Sequence, residues 1–169
     1  EKELLKGLKV LKRAGADFAV IATNTMHILF DELQKQIDMP LISIVEATAE
    51  AIKDEGFNKV GLIGTQFSMT KPFYRKGLKK HGIDVIIPSK EDRDYIVKVI
   101  FEELSIGKLI EESRQGYLEI IDKLVAEGAE GIVLGCTEIP LLIRQEDTEV
   151  KVFDTATVHA EKALQYATQ

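Results

Sequence analysis

The chain has 169 residues, of which 45% are hydrophobic and 30% are charged, and its formal net charge is −6. That length can bury one full core or two small lobes, and the composition is ordinary for a soluble globular protein. Basic residues are scattered rather than clustered, and no apolar run approaches the roughly 20 residues that span a bilayer. Neither a nucleic acid nor a membrane is therefore expected as a partner.

Helical and strand patterns alternate along the whole chain. The predicted helices cover residues 4–14, 26–37, 46–55, 70–80, 91–105, 109–127, 138–144 and 157–167. The predicted strands cover residues 18–22, 41–44, 59–64, 83–87, 130–135 and 150–153. This alternation predicts the α/β class, with parallel strands covered by helices on both faces.

Cys136 is the only cysteine, and it lies in a turn between a predicted strand and a predicted helix. Backbone N–H groups and the helix dipole at such a turn predict a thiol pKa below the ordinary value of about 8.5. The alternative is a packed structural cysteine, since free cysteines are among the most buried residues. A single cysteine excludes an internal disulfide, and no Cys/His cluster has the spacing of metal ligands. A catalytic thiol would suit the reducing cytoplasm.

A second strand-to-helix turn, Thr23-Asn24-Thr25-Met26-His27, follows the predicted strand 18–22. It also places a hydroxyl group and polar side chains directly after a strand. Each turn taken alone is compatible with ordinary helix capping. Together, the two turns suit two half-domains that face each other across a cleft.

These turns resemble motifs of the aspartate/glutamate racemase superfamily of cofactor-independent racemases. In that family, Cys-Asn-Thr-x-His ends one strand and Gly-Cys-Thr-Glu/His ends another, as in residues 23–27 and 135–138 here. Residues 60–65 resemble the family's strand followed by a Gly-Thr turn. Glu138 resembles the aspartate-racemase branch, whereas Thr23 stands where the family has its first cysteine. The resemblance covers essentially the whole chain.

The resemblance implies two pseudo-symmetric lobes with parallel sheets flanked by helices, and an active site in the cleft between them. Residues 1–44 and 145–169 would form the first lobe, and residues 45–144 would form an inserted second lobe. Family members open with a strand–helix–strand block that has no counterpart here. Because residue 1 is Glu rather than Met, we expect the chain to be part of a longer protein. A homodimer is also expected.

The family resemblance implies racemisation of aspartate, glutamate or a related amino acid, with no PLP, other cofactor or metal. The reaction needs an acid/base group on each face of the α-carbon and donors for the carboxylate. Cys136 would serve one face and Thr23 the other. The side chains expected around the substrate are Asn24, Thr25, Thr65, Ser68, Met69 and Thr137. His27, Glu138 and His159 are candidate accessory residues, with helix capping or packing as the alternative for each.

Thr23 leaves other activities open, because a hydroxyl group is a much poorer acid and base than a thiol. A single thiol would suffice to decarboxylate a malonate-type acid from one face, and other relatives isomerise small dicarboxylates. A cleft that lacks one catalytic thiol could also bind an amino acid or a dicarboxylate without turning it over. The sequence leaves the identity of the substrate undetermined.

Overall fold

A computed structural model describes residues 1–168, which form two parallel sheets flanked by helices. The strands are β1 (Ala19–Val20), β2 (Leu41–Ile42), β3 (Lys59–Gly64), β4 (Asp84–Ile86), β5 (Gly131–Gly135) and β6 (Lys151–Asp154). The α-helices are α1 (Lys2–Arg13), α2 (Phe30–Gln36), α3 (Ile44–Asp54), α4 (Gln66–Thr70), α5 (Pro72–Lys80), α6 (Lys90–Glu102), α7 (Glu111–Ala126), α8 (Ile139–Leu142) and α9 (Thr155–Ala167). Short 3-10 helices cover Thr25–Leu29, Leu104–Ile106 and Gln145–Asp147.

The four-stranded sheet has the order β4-β3-β5-β6, and β1 pairs with β2 in a separate sheet. All of these pairs are parallel. In the central pair, Gly64 lies opposite Gly135. The next residues, Thr65 and Cys136, therefore leave the sheet at the same edge.

The two central strands, β3 and β5, are buried on both faces of the sheet. Helices α6, α7 and α8 contribute to an apolar cluster on one face, and α3 and α5 contribute to a cluster on the other. Because both faces of these strands are covered, their sequences are continuous apolar runs and do not alternate between apolar and polar residues. A third cluster joins α1 and α2 to the β1–β2 sheet.

The predicted helix 70–80 is two helices in the structure, because Pro72 interrupts it. Proline has no N–H to donate and forces the residue before it out of the helical region. Lys71 is accordingly extended, with φ −78° and ψ 148°, and Pro72 opens α5. The separate helix α4 begins at Gln66 and is capped by Thr65, whose hydroxyl group accepts a hydrogen bond from the Ser68 amide.

The end of the chain contacts both sheets. We expect residues 145–169 in the first lobe, yet β6 pairs with β5 in the four-stranded sheet. The helix that follows, α9, packs on α3 and reaches β2. Gln169 lies outside the described residues. The division of the chain into lobes stays a prediction. Within residues 1–168, no helix combines the length and the apolar character needed to cross a bilayer.

Gly64 allows β3 and β5 to approach closely just before the two turns that carry the candidate site. A Cβ atom at Gly64 would lie 2.7 Å from the carbonyl oxygen of Gly135, a backbone atom that cannot swing aside. We expect Gly64→Ala to lower the free energy of unfolding by about 1–3 kcal/mol. Urea denaturation would measure this change.

The matched control is Gly7→Ala, because a Cβ atom at Gly7 would meet nothing within 4 Å. Gly7 lies inside α1, where alanine is the better helix former. The control should therefore be neutral or stabilising. Equal free energies of unfolding for the two variants would contradict the close approach of the strands.

Candidate active site

A cavity of about 220 Å³ lies where β3 and β5 end, beside the turn that follows β1. This place, outside the carboxyl ends of parallel strands, is where α/β proteins commonly bind small ligands. The turns around Thr23 and Cys136 thus line one cavity. Its walls are formed by Thr23, Asn24, Thr25, Thr65, Ile100, Phe101, Ser105, Gly135, Cys136, Thr137 and Glu138.

Cys136 packs against the core on one side and lines the cavity on the other. Its thiol donates a hydrogen bond to Glu138 Oε2, with 2.9 Å between sulfur and oxygen. Burial, together with this hydrogen bond and the charge of Glu138, raises the pKa of Cys136 to about 12. Hydrogen bonds to the backbone of Glu138 and Thr137 act in the opposite direction and are outweighed. The expectation of a lowered thiol pKa is therefore wrong.

The helix dipole and burial differ in size, and this difference explains why the turn geometry does not lower the thiol pKa. A helix dipole contributes about 0.3–1 kcal/mol, which is less than one pKa unit. The following helix, α8, has only four residues, so its dipole is small. Burial of an ionisable group can shift its pKa by several units, and this larger effect determines the protonation state of Cys136.

Glu138 holds the negative charge of the thiol–carboxylate pair. Its partial burial raises its pKa, but hydrogen bonds from the Cys136 thiol, the Thr137 hydroxyl and its own backbone amide leave that pKa lowered overall. The Thr137 hydroxyl donates to the same carboxylate oxygen at 2.8 Å. At neutral pH the proton therefore resides on sulfur and the charge on the carboxylate. Cys136 is ready to donate a proton, and Glu138 is placed to receive one.

His27 contacts the backbone of Thr23 and lies outside the cavity wall. Its Nε2 accepts a hydrogen bond from the Ile44 amide at 3.0 Å. Because an amide can only donate, the ring proton is on Nδ1, which donates to the Thr23 carbonyl oxygen at 2.8 Å. Both ring nitrogens are thus engaged by backbone groups. The geometry does not favour the predicted assistance of the Thr23 hydroxyl by His27, which instead orients the turn.

Three hydroxyl groups lie in series from the cavity into the interior. The Oγ1 atoms of Thr25 and Thr65 are 3.0 Å apart, and Thr65 Oγ1 is 3.1 Å from Ser68 Oγ. Thr25 and Thr65 line the cavity as expected. Ser68 is fully buried behind Thr65, so it supports that residue and does not form part of the wall.

Met69 and His159 are not part of the cavity wall, contrary to expectation. Met69 is buried in the core cluster with Ile63 and Leu134, because the inner side of α4 faces the sheet. His159 donates from Nε2 to the Ile42 carbonyl oxygen at 2.8 Å, which ties α9 to β2. It borders a separate cavity of about 140 Å³. Both residues fit the packing alternative.

Several residues of the site were not found from the sequence. Ile100, Phe101 and Ser105 close one side of the cavity, but they lie at the end of the predicted helix 91–105, where no motif marks them. Tyr74 and Thr155 hydrogen-bond to the Asn24 side chain. Thr155 directly follows β6, and a hydroxyl residue at the end of a strand is the sequence signal that could have indicated its contact with Asn24. Among residues 1–168, no group of three or more His, Cys, Asp or Glu side chains could hold a metal ion.

An α/β fold with acid–base and hydrogen-bonding side chains around a small cavity at the strand ends is the arrangement in which α/β proteins commonly bind small polar molecules. A family model described as Asp/Glu/hydantoin racemase matches residues 1–163. The chain therefore belongs to the Asp/Glu/hydantoin racemase family. This result confirms the resemblance that the motifs of the two turns indicate.

Solved structures of related proteins share the fold. A Yersinia pestis protein provisionally described as an Asp/Glu racemase has a TM-score of 0.94 and 45% identity, over 99% of this chain and 74% of its own. An aspartate racemase homologue from Pyrococcus horikoshii OT3 has a TM-score of 0.91 and 41% identity, over the same shares of the two chains. The α/β class predicted from the alternating pattern is thereby confirmed.

Relatives with similar sequences are named as amino-acid racemases. A broad-specificity amino-acid racemase of Bacillus subtilis is 23% identical over 97% of this chain and 70% of its own length. The glutamate racemase of Aquifex pyrophilus is 29% identical over 91% of this chain, and the match covers 58% of that enzyme. These names agree with the predicted enzyme class.

The thiol–carboxylate pair predicts how fast Cys136 is alkylated. Only the thiolate reacts, so a pKa of about 12 predicts that the rate constant rises about tenfold per pH unit between about pH 7 and 11. Glu138→Gln removes a negative charge and should lower the thiol pKa, which would accelerate alkylation at pH 8. Iodoacetamide labelling followed by mass spectrometry measures both rates. The control, Glu3→Gln, removes the same charge from an exposed position in α1.

Burial of His27 predicts a loss of stability in acid. Burial, with a smaller contribution from His159, lowers the pKa of His27 to about 4, although the bond to Thr23 opposes the shift. The unfolded chain binds this proton near pH 6.5, so the contribution is complete above that pH and disappears as the pH falls towards 4. Between pH 7 and 5 we expect His27 to remove about 2 kcal/mol from the free energy of unfolding.

Urea denaturation at the two pH values measures the change, and NMR of the His27 ring assigns it. The ring signals should not titrate above pH 5. A ring titration near pH 6.5 would contradict the buried neutral state. His27→Gln should flatten the pH dependence of stability even if it destabilises the fold.

Proposed function

We propose that the protein racemises aspartate, glutamate or a related amino acid without a cofactor. The observation that supports this most directly is that Thr23 and Cys136, from turns far apart in the sequence, line the same cavity of about 220 Å³. Membership of the racemase family supports the same reaction. Racemisation requires an acid/base group on each face of the α-carbon, and these two side chains are the proposed pair.

On the Cys136 face, proton transfer would couple to Glu138. In one direction, the thiol gives its proton to the planar carbanion, and the sulfur becomes a thiolate. In the other direction, Glu138 takes the thiol proton, and the thiolate then removes the α-proton from the substrate. The ammonium group of a bound amino acid would favour the thiolate, since a nearby opposite charge stabilises the ionised form.

On the opposite face, the Thr23 hydroxyl would pass a proton between solvent and the carbanion. It gives its own proton to carbon while it takes one from water, so the hydroxyl is restored in the same step. A hydroxyl group ionises far less readily than a thiol, so this face should limit the rate. Because the two enantiomers have equal free energy, the catalytic efficiencies in the two directions must still be equal.

The substrate carboxylate would bind among the neutral donors of the wall. The hydroxyls of Thr25 and Thr65 and the amide of Asn24 line the cavity. The Thr137 hydroxyl also lines it, and it would have to turn from Glu138 towards the substrate to act as a donor. Donors fixed before the substrate arrives stabilise the charge that moves into the carboxylate in the transition state. Ser68 would hold the Thr65 hydroxyl in place through the contact between their oxygens.

A second candidate function uses a single thiol. Cys136 is the only cysteine in the chain, and it rests in the protonated form that can quench a carbanion from one face. Decarboxylation of a malonate-type acid needs no more than that. Release of CO₂ from a disubstituted malonate would support this activity. Calorimetric binding of an amino acid with no turnover, unchanged in Cys136→Ser, would instead indicate a binding protein.

The family resemblance also implies a location, an assembly and a division into lobes, which we propose independently of the reaction. We propose a cytoplasmic homodimer, with residues 1–44 and 145–169 in one lobe and residues 45–144 in the other. Sedimentation velocity would measure the oligomeric state. Monomers at all concentrations tested would contradict the proposed dimer without affecting the proposed chemistry.

Exchange of the α-proton tests the proposed reaction. Both enantiomers of aspartate, glutamate and several neutral amino acids would be incubated with the protein in D₂O and followed by ¹H NMR. Deuterium should enter at the α-carbon of at least one amino acid. Cys136→Ser should reduce this rate at least about 100-fold, the lower range of general acid–base contributions. Thr23→Cys should increase the rate, because a thiol replaces the weaker hydroxyl.

The control for Thr23→Cys is Thr168→Cys, which adds a thiol at the exposed C-cap of α9. It should leave the exchange rate unchanged. An exchange rate that survives Cys136→Ser, or the absence of exchange for every amino acid tested, would exclude the proposed racemisation.

A further inference from the structure

We propose that Tyr74 and Thr155 are positioning residues that orient the side-chain amide of Asn24, so that it presents an N–H donor to the substrate carboxylate. This inference rests on the proposed racemase function, because it gives Asn24 a specific role at that site. Neither residue lines the cavity. Each would act only through Asn24.

The contacts form one chain of buried hydrogen bonds. Asn24 Nδ2 donates to Thr155 Oγ1 at 3.0 Å, and Thr155 Oγ1 donates to the Leu134 carbonyl oxygen at 2.8 Å. The Tyr74 hydroxyl donates to Asn24 Oδ1 at 2.5 Å. Asn24 is 2% exposed, and both of its partners are fully buried, so water does not compete for these bonds.

The orientation of the amide follows from the single hydroxyl proton of Thr155. A carbonyl oxygen can only accept a hydrogen bond, so the Thr155 hydroxyl must donate its proton to the Leu134 carbonyl oxygen. Its oxygen can then only accept from Asn24, which places the amide nitrogen on that side. The amide oxygen is left facing Tyr74, whose hydroxyl must donate. The Leu134 carbonyl thus determines the direction of every hydrogen bond in the chain.

The phenol of Tyr74 is a dependable donor in this position. Burial raises the pKa of Tyr74 above its ordinary value, and this effect outweighs the opposing influence of the neighbouring Thr48 and Thr155 hydroxyls. The hydroxyl therefore keeps its proton throughout the working pH range. With Thr155 on one side and Tyr74 on the other, rotation of the amide by 180° would break both bonds at once.

One amide hydrogen of Asn24 remains available to a ligand. Nδ2 carries two hydrogens. Among residues 1–168, only one of these hydrogens has a hydrogen-bond acceptor, which is Thr155 Oγ1. Asn24 lines the cavity directly beside Thr23. A substrate carboxylate can accept the second hydrogen. If the amide were reversed, an oxygen atom would face the carboxylate and repel it.

The chain of bonds also links the two turns of the site. Leu134 lies on β5 two residues before Cys136, and Asn24 directly follows Thr23. Thr155, at the start of α9, bonds to both segments. The same contacts that orient the amide therefore hold the Thr23 turn against the end of β5.

Selective labelling can observe the Asn24 amide without any turnover. The chain contains two asparagines, Asn24 and Asn58, so ¹⁵N-asparagine labelling gives two side-chain NH₂ groups. Asn58 is exposed and serves as an internal reference, and the Asn24→Asp spectrum assigns the other signal. In the wild type, the Asn24 amide proton bonded to Thr155 should exchange with solvent at least about tenfold more slowly than the amide protons of Asn58, because a buried hydrogen bond must open first.

Thr155→Val keeps the shape of the side chain and removes its hydroxyl. It should shift the Asn24 signals and accelerate exchange of an Asn24 amide proton at least about tenfold, and Thr155→Ser should restore the wild-type behaviour. Tyr74→Phe is the second variant and should shift the same signals. The matched control is Tyr117→Phe, because Tyr117 is equally buried but bonds to the Ile96 carbonyl oxygen. It should leave the Asn24 signals in place.

Kinetics with the amino acid that exchanges fastest provide the functional measurement. Thr155→Val should raise KM about tenfold with a smaller change in kcat, since a donor to the carboxylate acts in the ground state and the transition state alike. Thr155→Ser should return KM to near the wild-type value. A merely structural role would lower the amount of active protein and leave KM unchanged.

The outcomes separate this inference from the proposed function. If no amino acid exchanges its α-proton, racemisation fails, and altered Asn24 signals in both variants still support the positioning contacts. If exchange occurs but Thr155→Val and Tyr74→Phe leave both the Asn24 signals and KM unchanged, the positioning roles are overturned. A shift of the Asn24 signals with an unchanged KM would also overturn the role towards the carboxylate.

Discussion

The parallel pairing of β3 with β5 is the constraint on which the candidate site depends. Gly64 and Gly135 lie opposite each other, and the close approach of their backbones leaves no space for a Cβ atom on Gly64. The strands therefore end together, and Thr65 and Cys136 emerge side by side. The turn after β1 completes the cavity through the contact between the hydroxyls of Thr25 and Thr65.

The chemistry of the cavity is governed by burial rather than by helix dipoles. Cys136 is 6% exposed and faces the carboxylate of Glu138, and both conditions favour the neutral thiol. The dipole of the four-residue helix α8 is too weak to reverse this preference. The proton on sulfur and the charge on Glu138 form a pair that can exchange one proton internally. A substrate that carries its own positive charge would shift this balance towards the thiolate.

Buried polar groups around the cavity are arranged in connected series. The Asn24 amide lies between Tyr74 and Thr155, and the hydroxyls of Thr25, Thr65 and Ser68 follow one another. An unpaired buried polar group costs about 1–3 kcal/mol, so each member is held in contact with its neighbours. Such networks fix the positions of donors before a ligand binds.

Local sequence patterns determined the order and type of the main elements. The run Val60–Gly64 has no alternation because both faces of β3 are covered, and strand 59–64 was predicted with the bounds that the structure has. The motifs of the two turns and the Gly-Thr motif that ends at Thr65 identified the family and seven predicted residues of the cavity wall. These predictions succeeded because each depends on short segments whose backbone behaviour follows from neighbouring residues.

Only the tertiary structure decided which polar residues reach the cavity and how they ionise. Ser68 and Met69 follow closely after Thr65 in sequence but turn towards the interior, whereas Phe101 and Ser105 enter the wall from α6 and the 3-10 helix after it. The pKa of Cys136 and the orientation of the Asn24 amide depend on burial and on partners such as Tyr74 and Thr155. Burial and long-range contacts arise only when separate elements pack together, so no local pattern in the chain encodes them.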